Sequence, residues 1–226
     1  MYPLDPPLLV INFKNYAEAQ GEGSLRLAKA AEQARRETGV SIFVAPPAPS
    51  LFCVARSVDL PVLAQHVDAG AEEASTGHLP PSALKPNGAV GSLVNHSERR
   101  LPTDSVEAAV GELGRLGMLA VVCARDPSDA ALVGSFRPDA VAIEPPELIG
   151  GGRAVSKVAP GVVREGVAAV KRVHPAARVL CGAGITSGED AAVALELGAE
   201  GVLVASAVVR SAEPRRVIAE LAGAMR

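Results

Sequence analysis

Tryptophan is absent from the chain, and two tyrosines and four phenylalanines are its whole aromatic content, so the interior has to be aliphatic. With 48% hydrophobic and 21% charged residues among 226, that interior can be large, built from Val, Ala, Leu and Ile under a soluble surface. Cysteine is equally scarce. Cys53, Cys123 and Cys181 are odd in number and lack metal-type spacing, which argues against a disulfide framework and for a reducing compartment, with all three expected buried and reduced. Net charge is only -3, so the chain carries no electrostatic footprint for nucleic acid or an anionic membrane, and any anion site has to be local. No stretch reaches the ~20 apolar residues that span a bilayer. The start, Met1-Tyr2-Pro3-Leu4-Asp5-Pro6-Pro7, has neither a basic region nor a long apolar run, and a cytoplasmic location is expected.

What is present is a repeated alternation of short apolar runs and helix-compatible segments. Leu8 to Ile11 reads as a buried strand ending at Asn12, followed by a helix over Ser24 to Glu37 with Leu25, Leu27, Ala28, Ala31 and Ala34 on one face. Val40 to Ala45, Leu60 to Ala64, Ala89 to Val94, Met118 to Cys123, Ala140 to Ile143, Val179 to Cys181 and Gly201 to Ala205 continue the strand series. Helices are expected over Leu51 to Val58, from Thr103, from Asp126 as a cap, over Pro160 to Val173, from Ser187 with Asp190 as a capping pair, and from Pro214. Between His66 and Pro86 the pattern fails, and an extended loop with at most a short helix at Pro81 to Lys85 is predicted. Strands that alternate with helices predict parallel pairing through helical crossovers, and the count suits a single-domain (β/α)8 barrel over residues 1–226. The rival, an open doubly wound sheet, lacks its glycine-rich opening after Ile11.

In such a barrel the chemistry sits where the strands' carboxyl ends meet, so the polar residues at those ends form one set. They are Asn12 and Lys14, Gln65, His96, and Glu144. Each alone has an ordinary explanation as a solvated or structural side chain. Together they supply a base, an uncharged hydrogen-bond donor and a cation, the minimum for moving a proton next to a carbonyl. The turn-forming residues after His96 suggest a helix amino end that would keep its imidazole neutral. Pro145 and Pro146 followed by Gly150, Gly151 and Gly152 read as a stiff hinge with a soft tip, the composition of a lid. Gly150, Gly182 to Gly184, and Ala205-Ser206 are small residues whose amides suit a phosphate, on the loops where this fold usually grips one.

Asn12-Phe13-Lys14, Asn95-His96-Ser97-Glu98-Arg99, Glu144-Pro145-Pro146-Glu147-Leu148-Ile149-Gly150, Cys181-Gly182-Ala183-Gly184-Ile185 and Val204-Ala205-Ser206 occur in order along the whole chain. Together they resemble the triosephosphate isomerase family, in its short, archaeal-type branch. The resemblance implies interconversion of dihydroxyacetone phosphate and D-glyceraldehyde 3-phosphate through an enediol(ate), with neither metal nor organic cofactor. It implies Glu144 as the base, His96 as the neutral electrophile, and Lys14 and Asn12 as the charge and the hydrogen bond on the oxygens. That pairing of Glu with a neutral His is the family's property. Phe13, Ile149, Gly150, Gly184, Ala205 and Ser206 are carried over as substrate- and phosphate-side positions, Glu98 as a supporting acid.

The chain departs from the more widespread long form in having no Trp in the lid, Cys181-Gly182-Ala183-Gly184 in loop seven and Ala205-Ser206 in loop eight. It departs from the short branch at Gly151 and Ala207, where Thr and Gly are expected. The loop from His66 to Pro81, with Ser75-Thr76-Gly77, resembles the segment that enters a neighbouring subunit, which implies a homo-oligomer: a homotetramer as a dimer of dimers first, a dimer next. Other sugar-phosphate barrels, epimerases or synthases, are the alternative enzymes, and a non-catalytic barrel scaffold the alternative outside catalysis.

Overall fold

The computed structural model describes residues 2–71, 74–145 and 159–226. The strands are β1 (Leu8–Asn12), β2 (Ser41–Ala45), β3 (Val62–Ala64), β4 (Ala89–Val94), β5 (Leu119–Ala124), β6 (Ala140–Ile143), β7 (Arg178–Cys181) and β8 (Gly201–Val204). They pair in parallel in chain order and close into a barrel, β8 returning to β1 with Leu8 opposite Gly201 and Ile11 opposite Val204. The expected fold class is the observed one.

Side chains alternate across each strand, which here divides the core into two layers. Leu8, Val10, Phe43, Leu63, Leu93, Val121, Leu180 and Leu203 fill the barrel. Leu9, Ile11, Ile42, Val44, Val122, Val141, Val179 and Val202 meet the helices instead. Burial on both faces is why the strands read as continuous apolar runs. Continuing the inward phase past the strand ends brings Asn12 after Val10, Glu144 after Ala142, and Gly182 after Leu180 to one mouth.

Helix α1 (Glu22–Thr38) buries Leu27, Ala28, Ala31 and Ala34, the leucine contributing about 2 kcal/mol. It stops at Gly39, whose φ of 74° belongs to the left-handed region and whose N–H returns to the Arg35 carbonyl at 2.7 Å. Helix α2 (Leu51–Ala55) is shorter than expected, and β3 starts at Val62 because Pro61 has no N–H for a ladder. Helix α2 also corrects one cysteine. It buries Leu51 and Val54 and turns Phe52 and Cys53 outward, so Cys53 is exposed while Cys123 and Cys181 are buried; none of the three is in a disulfide among the described residues. The long loop after β3 is tied by Asp68, which accepts from His66 at 2.8 Å and from the Leu79 amide at 2.7 Å, before α3 (Pro81–Leu84).

Helices α4 (Thr103–Arg115), α5 (Pro127–Ser135), α6 (Pro160–Val173), α7 (Gly188–Glu196), α8 (Ser206–Val209) and α9 (Pro214–Ala224) follow. Asp126 caps α5 through the Asp129 amide, and Ser187 with Asp190 forms the predicted capping box on α7. Around the barrel's other mouth, Glu200 accepts from Arg178 and from Lys171, both at 2.6 Å. No described helix is long and apolar enough to cross a membrane.

Candidate active site

The carboxyl mouth of the barrel holds a cleft of ≈ 150 Å³ bounded by Asn12, Lys14, His96, Glu144, Gly184, Ala205 and Ser206. Residues from five different strand ends, β1, β4, β6, β7 and β8, therefore meet in one place.

Asn12 ends β1 and is 4% exposed, and its side-chain oxygen accepts the Lys14 amide at 2.9 Å. That bond bends the chain so that Lys14 takes a φ of 48°, uncommon for a residue with a side chain. Gln65 secures the bend, its amide donating to the carbonyls of Lys14 at 3.1 Å and Ala45 at 3.0 Å. Gln65 thus supports Lys14 and does not line this cleft. The Lys14 ammonium is directed to Glu98 at 2.9 Å.

His96 is 9% exposed, and its Nδ1 accepts the Glu98 N–H at 3.2 Å, which leaves Nε2 to carry the proton. The donor comes from a tight turn, closed by the Arg99 N–H on the His96 carbonyl at 2.8 Å, and not from the helix end expected from the sequence. Burial first, then the Lys14 charge, lower its pKa to about 4. The imidazole is neutral at physiological pH.

Glu144 is 2% exposed, and burial raises its pKa to about 7, against the lowering effects of the Cys123 thiol, Arg100 and Lys14. Its Oε1 lies 3.7 Å from His96 Nε2, and its buried Oε2 has no hydrogen-bond partner among the described residues. A carboxyl poised near neutrality beside a neutral imidazole can take a proton and return it, while the imidazole N–H serves an adjacent oxygen. Gly184 (φ 71°), Ala205 and Ser206 border the cleft's far side with Thr186 and Ile185.

Phe13 does not line the cleft with its side chain, which is 0% exposed and packs in the layer between strands and helices. Ile149 and Gly150, and the expected lid from Pro145 to Gly152 save for Pro145 itself, lie outside the described residues. Reading strand ends missed Tyr16 and Thr186, which line the cleft, and Cys123, whose thiol lies beside Glu144. Alternation along β5, with Val121 facing inward, was the available signal for Cys123. Among the described residues, no group of three or more His, Cys, Asp or Glu side chains is arranged to hold a metal ion.

Residues 7–222 match the family model described as triosephosphate isomerase. Similar archaeal proteins bear that name. The protein of Cenarchaeum symbiosum is 48% identical, over 97% of this chain and 98% of its own. That of Methanothermus fervidus is 46% identical, over 96% and 98%, and that of Methanobacterium bryantii 42%, over 96% of each. A match running nearly end to end, onto a closed parallel barrel with these side chains at its mouth, places this chain in the triosephosphate isomerase family.

Proposed function

We propose that this chain interconverts dihydroxyacetone phosphate and D-glyceraldehyde 3-phosphate by proton transfer through an enediol(ate), as its family membership implies. The observation that carries the mechanism is the pair Glu144 and His96: 3.7 Å apart, both buried, one pKa raised to about 7 and the other lowered to about 4. Glu144 Oε2 removes the proton from the carbon next to the carbonyl, leaving the electron pair as an enediolate. The Nε2–H of His96 stabilises that oxygen and helps move protons between the two oxygens. Glu144 then returns its proton to the neighbouring carbon, which completes the isomerisation without change of oxidation state. Lys14 offsets the negative charge that develops, and Asn12 adds a hydrogen bond. Amides at Gly184, Ala205 and Ser206, together with those at Ile149 and Gly150, hold the phosphate. Closure of residues 145–152 excludes water from the enediolate, and no metal or organic cofactor takes part.

We take residues 1–226 as one barrel domain of a cytoplasmic enzyme, assembled as a homotetramer through the loop after β3 and a second contact. An assay coupled to oxidation or reduction of the product tests the activity. Wild-type protein is expected to turn over glyceraldehyde 3-phosphate at least about 10²-fold faster than Glu144→Gln. Equal rates would defeat the reading, and turnover of pentulose phosphates alone would transfer it to another sugar-phosphate reaction. Light scattering on the eluting protein measures the assembly.

A further inference from the structure

Immediately after β4, Asn95 takes a left-handed backbone conformation, φ 60°, while being only 6% exposed. Few residues other than glycine tolerate that angle, and asparagine is one of them. A glycine would supply the angle alone. Asparagine here adds two bonds. Its Nδ2 donates to the Cys123 carbonyl at 3.0 Å, and its Oδ1 accepts the Leu101 N–H at 3.0 Å. Its own carbonyl accepts from Arg100 Nη1 at 2.9 Å, and that nitrogen also donates to the Cys123 carbonyl at 3.1 Å. The loop from Asn95 to Leu101 is closed on itself and fastened to the end of β5.

His96 is the next residue in that loop. Its ring is fixed relative to the loop by the Glu98 N–H, and its carbonyl by the Arg99 N–H. The bonds of Asn95 and Arg100 to Cys123 then fix the loop relative to the barrel. Cys123 is also where the base is held: its thiol lies beside the Glu144 carboxyl, while the Glu144 amide donates to the Ala124 carbonyl at 2.7 Å. The end of β5 therefore carries the imidazole loop on its carbonyl and the carboxyl on its side chain. We propose that Asn95 is a positioning residue for the isomerisation, its amide setting the separation between His96 and Glu144 by tying the imidazole loop to Cys123. This rests on reading His96 and Glu144 as the working pair. It also explains why the effect should fall on turnover: the phosphate-side residues among those described, Gly184, Ala205 and Ser206, follow β7 and β8, and the hydrogen bonds of Asn95 go to Cys123, Arg100 and Leu101.

The test compares Asn95→Gly, which keeps the backbone angle and loses both side-chain bonds, with Asn95→Asp, which keeps the acceptor for Leu101 and loses the donor to Cys123. For each, kcat and KM are measured, and the His96 ring nitrogens are titrated by NMR. In Asn95→Gly, kcat is expected to fall about 10- to 100-fold with KM within about twofold of wild type. His96 is expected to titrate closer to its ordinary value of 6.5 than to about 4, because the freed loop admits water. Asn95→Asp is expected to show the same changes to a smaller extent, and it carries the test if Asn95→Gly does not fold. A lower melting temperature with kcat and the His96 titration unchanged would overturn the proposal. Wild-type protein inactive on triose phosphates, with His96 nonetheless shifted in the variants, would defeat the isomerase reading and leave the tether standing. An active wild type whose variants match it would defeat the tether alone.

Discussion

A β-carbon on Gly182 would fall 2.5 Å from Cγ of Glu144 and 3.0 Å from its Oε1. Glycine just after β7 is thus what lets the Glu144 carboxyl lie across the barrel mouth. Gly182→Ala is expected to push the Glu144 side chain aside, since the carboxyl arm rotates more readily than the strands shift. The expected outcome is a folded protein whose kcat is about 10²-fold lower, with circular dichroism unchanged. Retention of wild-type kcat would contradict the placement of Glu144.

The pH profile follows from the two shifted groups. Glu144 accepts a proton only when ionised, so kcat/KM should rise about tenfold per pH unit up to about 7 and then level. His96 protonates at about 4, so a second limb should appear there and none near 6.5. A profile flat between pH 5 and 8 would contradict the raised carboxyl.

The same carboxyl bears on stability. Its folded pKa of about 7 lies above the ordinary 4.5, so the folded chain holds an extra proton between those values. The contribution is complete below about 4.5 and is lost as pH rises through about 7. Glu144→Gln, which cannot ionise, should therefore melt above wild type at pH 8 and converge with it near pH 4.5, as read by thermal denaturation.

Glu200 behaves in the opposite sense. Burial raises its pKa, but the hydrogen bonds from Lys171 and Arg178 outweigh this and hold it below the ordinary value. Its stabilisation is present above about 4.5 and is lost as pH falls through the folded value. Glu200→Ala should cost about 1–2 kcal/mol at pH 7, allowing for the solvent that reaches both cations. Denaturant titrations should show that difference shrinking toward pH 3.

Thiol exposure makes a separate prediction. Cys53 is exposed and Cys123 and Cys181 are buried, so one thiol per chain should react rapidly with a disulfide reagent and two more only after denaturation. Rapid reaction of all three would contradict the packing of β5 and β7.

The sequence by itself determined the strands and most helices, because burial on two faces leaves continuous apolar runs and caps such as Asp126 and Ser187 act within one turn. It also picked out side chains that meet at the barrel mouth, since Asn12, Lys14, His96 and Glu144 stand at or just beyond strand ends in a recognisable order. Closure was the decision of tertiary structure. Only when β8 pairs with β1 do side chains from positions 12 to 206 share one cleft, and only that desolvation moves a carboxyl to about 7 and an imidazole to about 4. The neutral imidazole owes its state to burial and the Lys14 charge, and its tautomer to a single turn amide where local order had suggested a helix end. Phe13, inside a motif at the cleft, points into the core because a side chain's direction depends on the local path of the backbone, which adjacency in sequence does not specify. The ties from Asn95 and the contact of Cys123 with Glu144 join residues far apart along the chain, and no local pattern encodes such pairings.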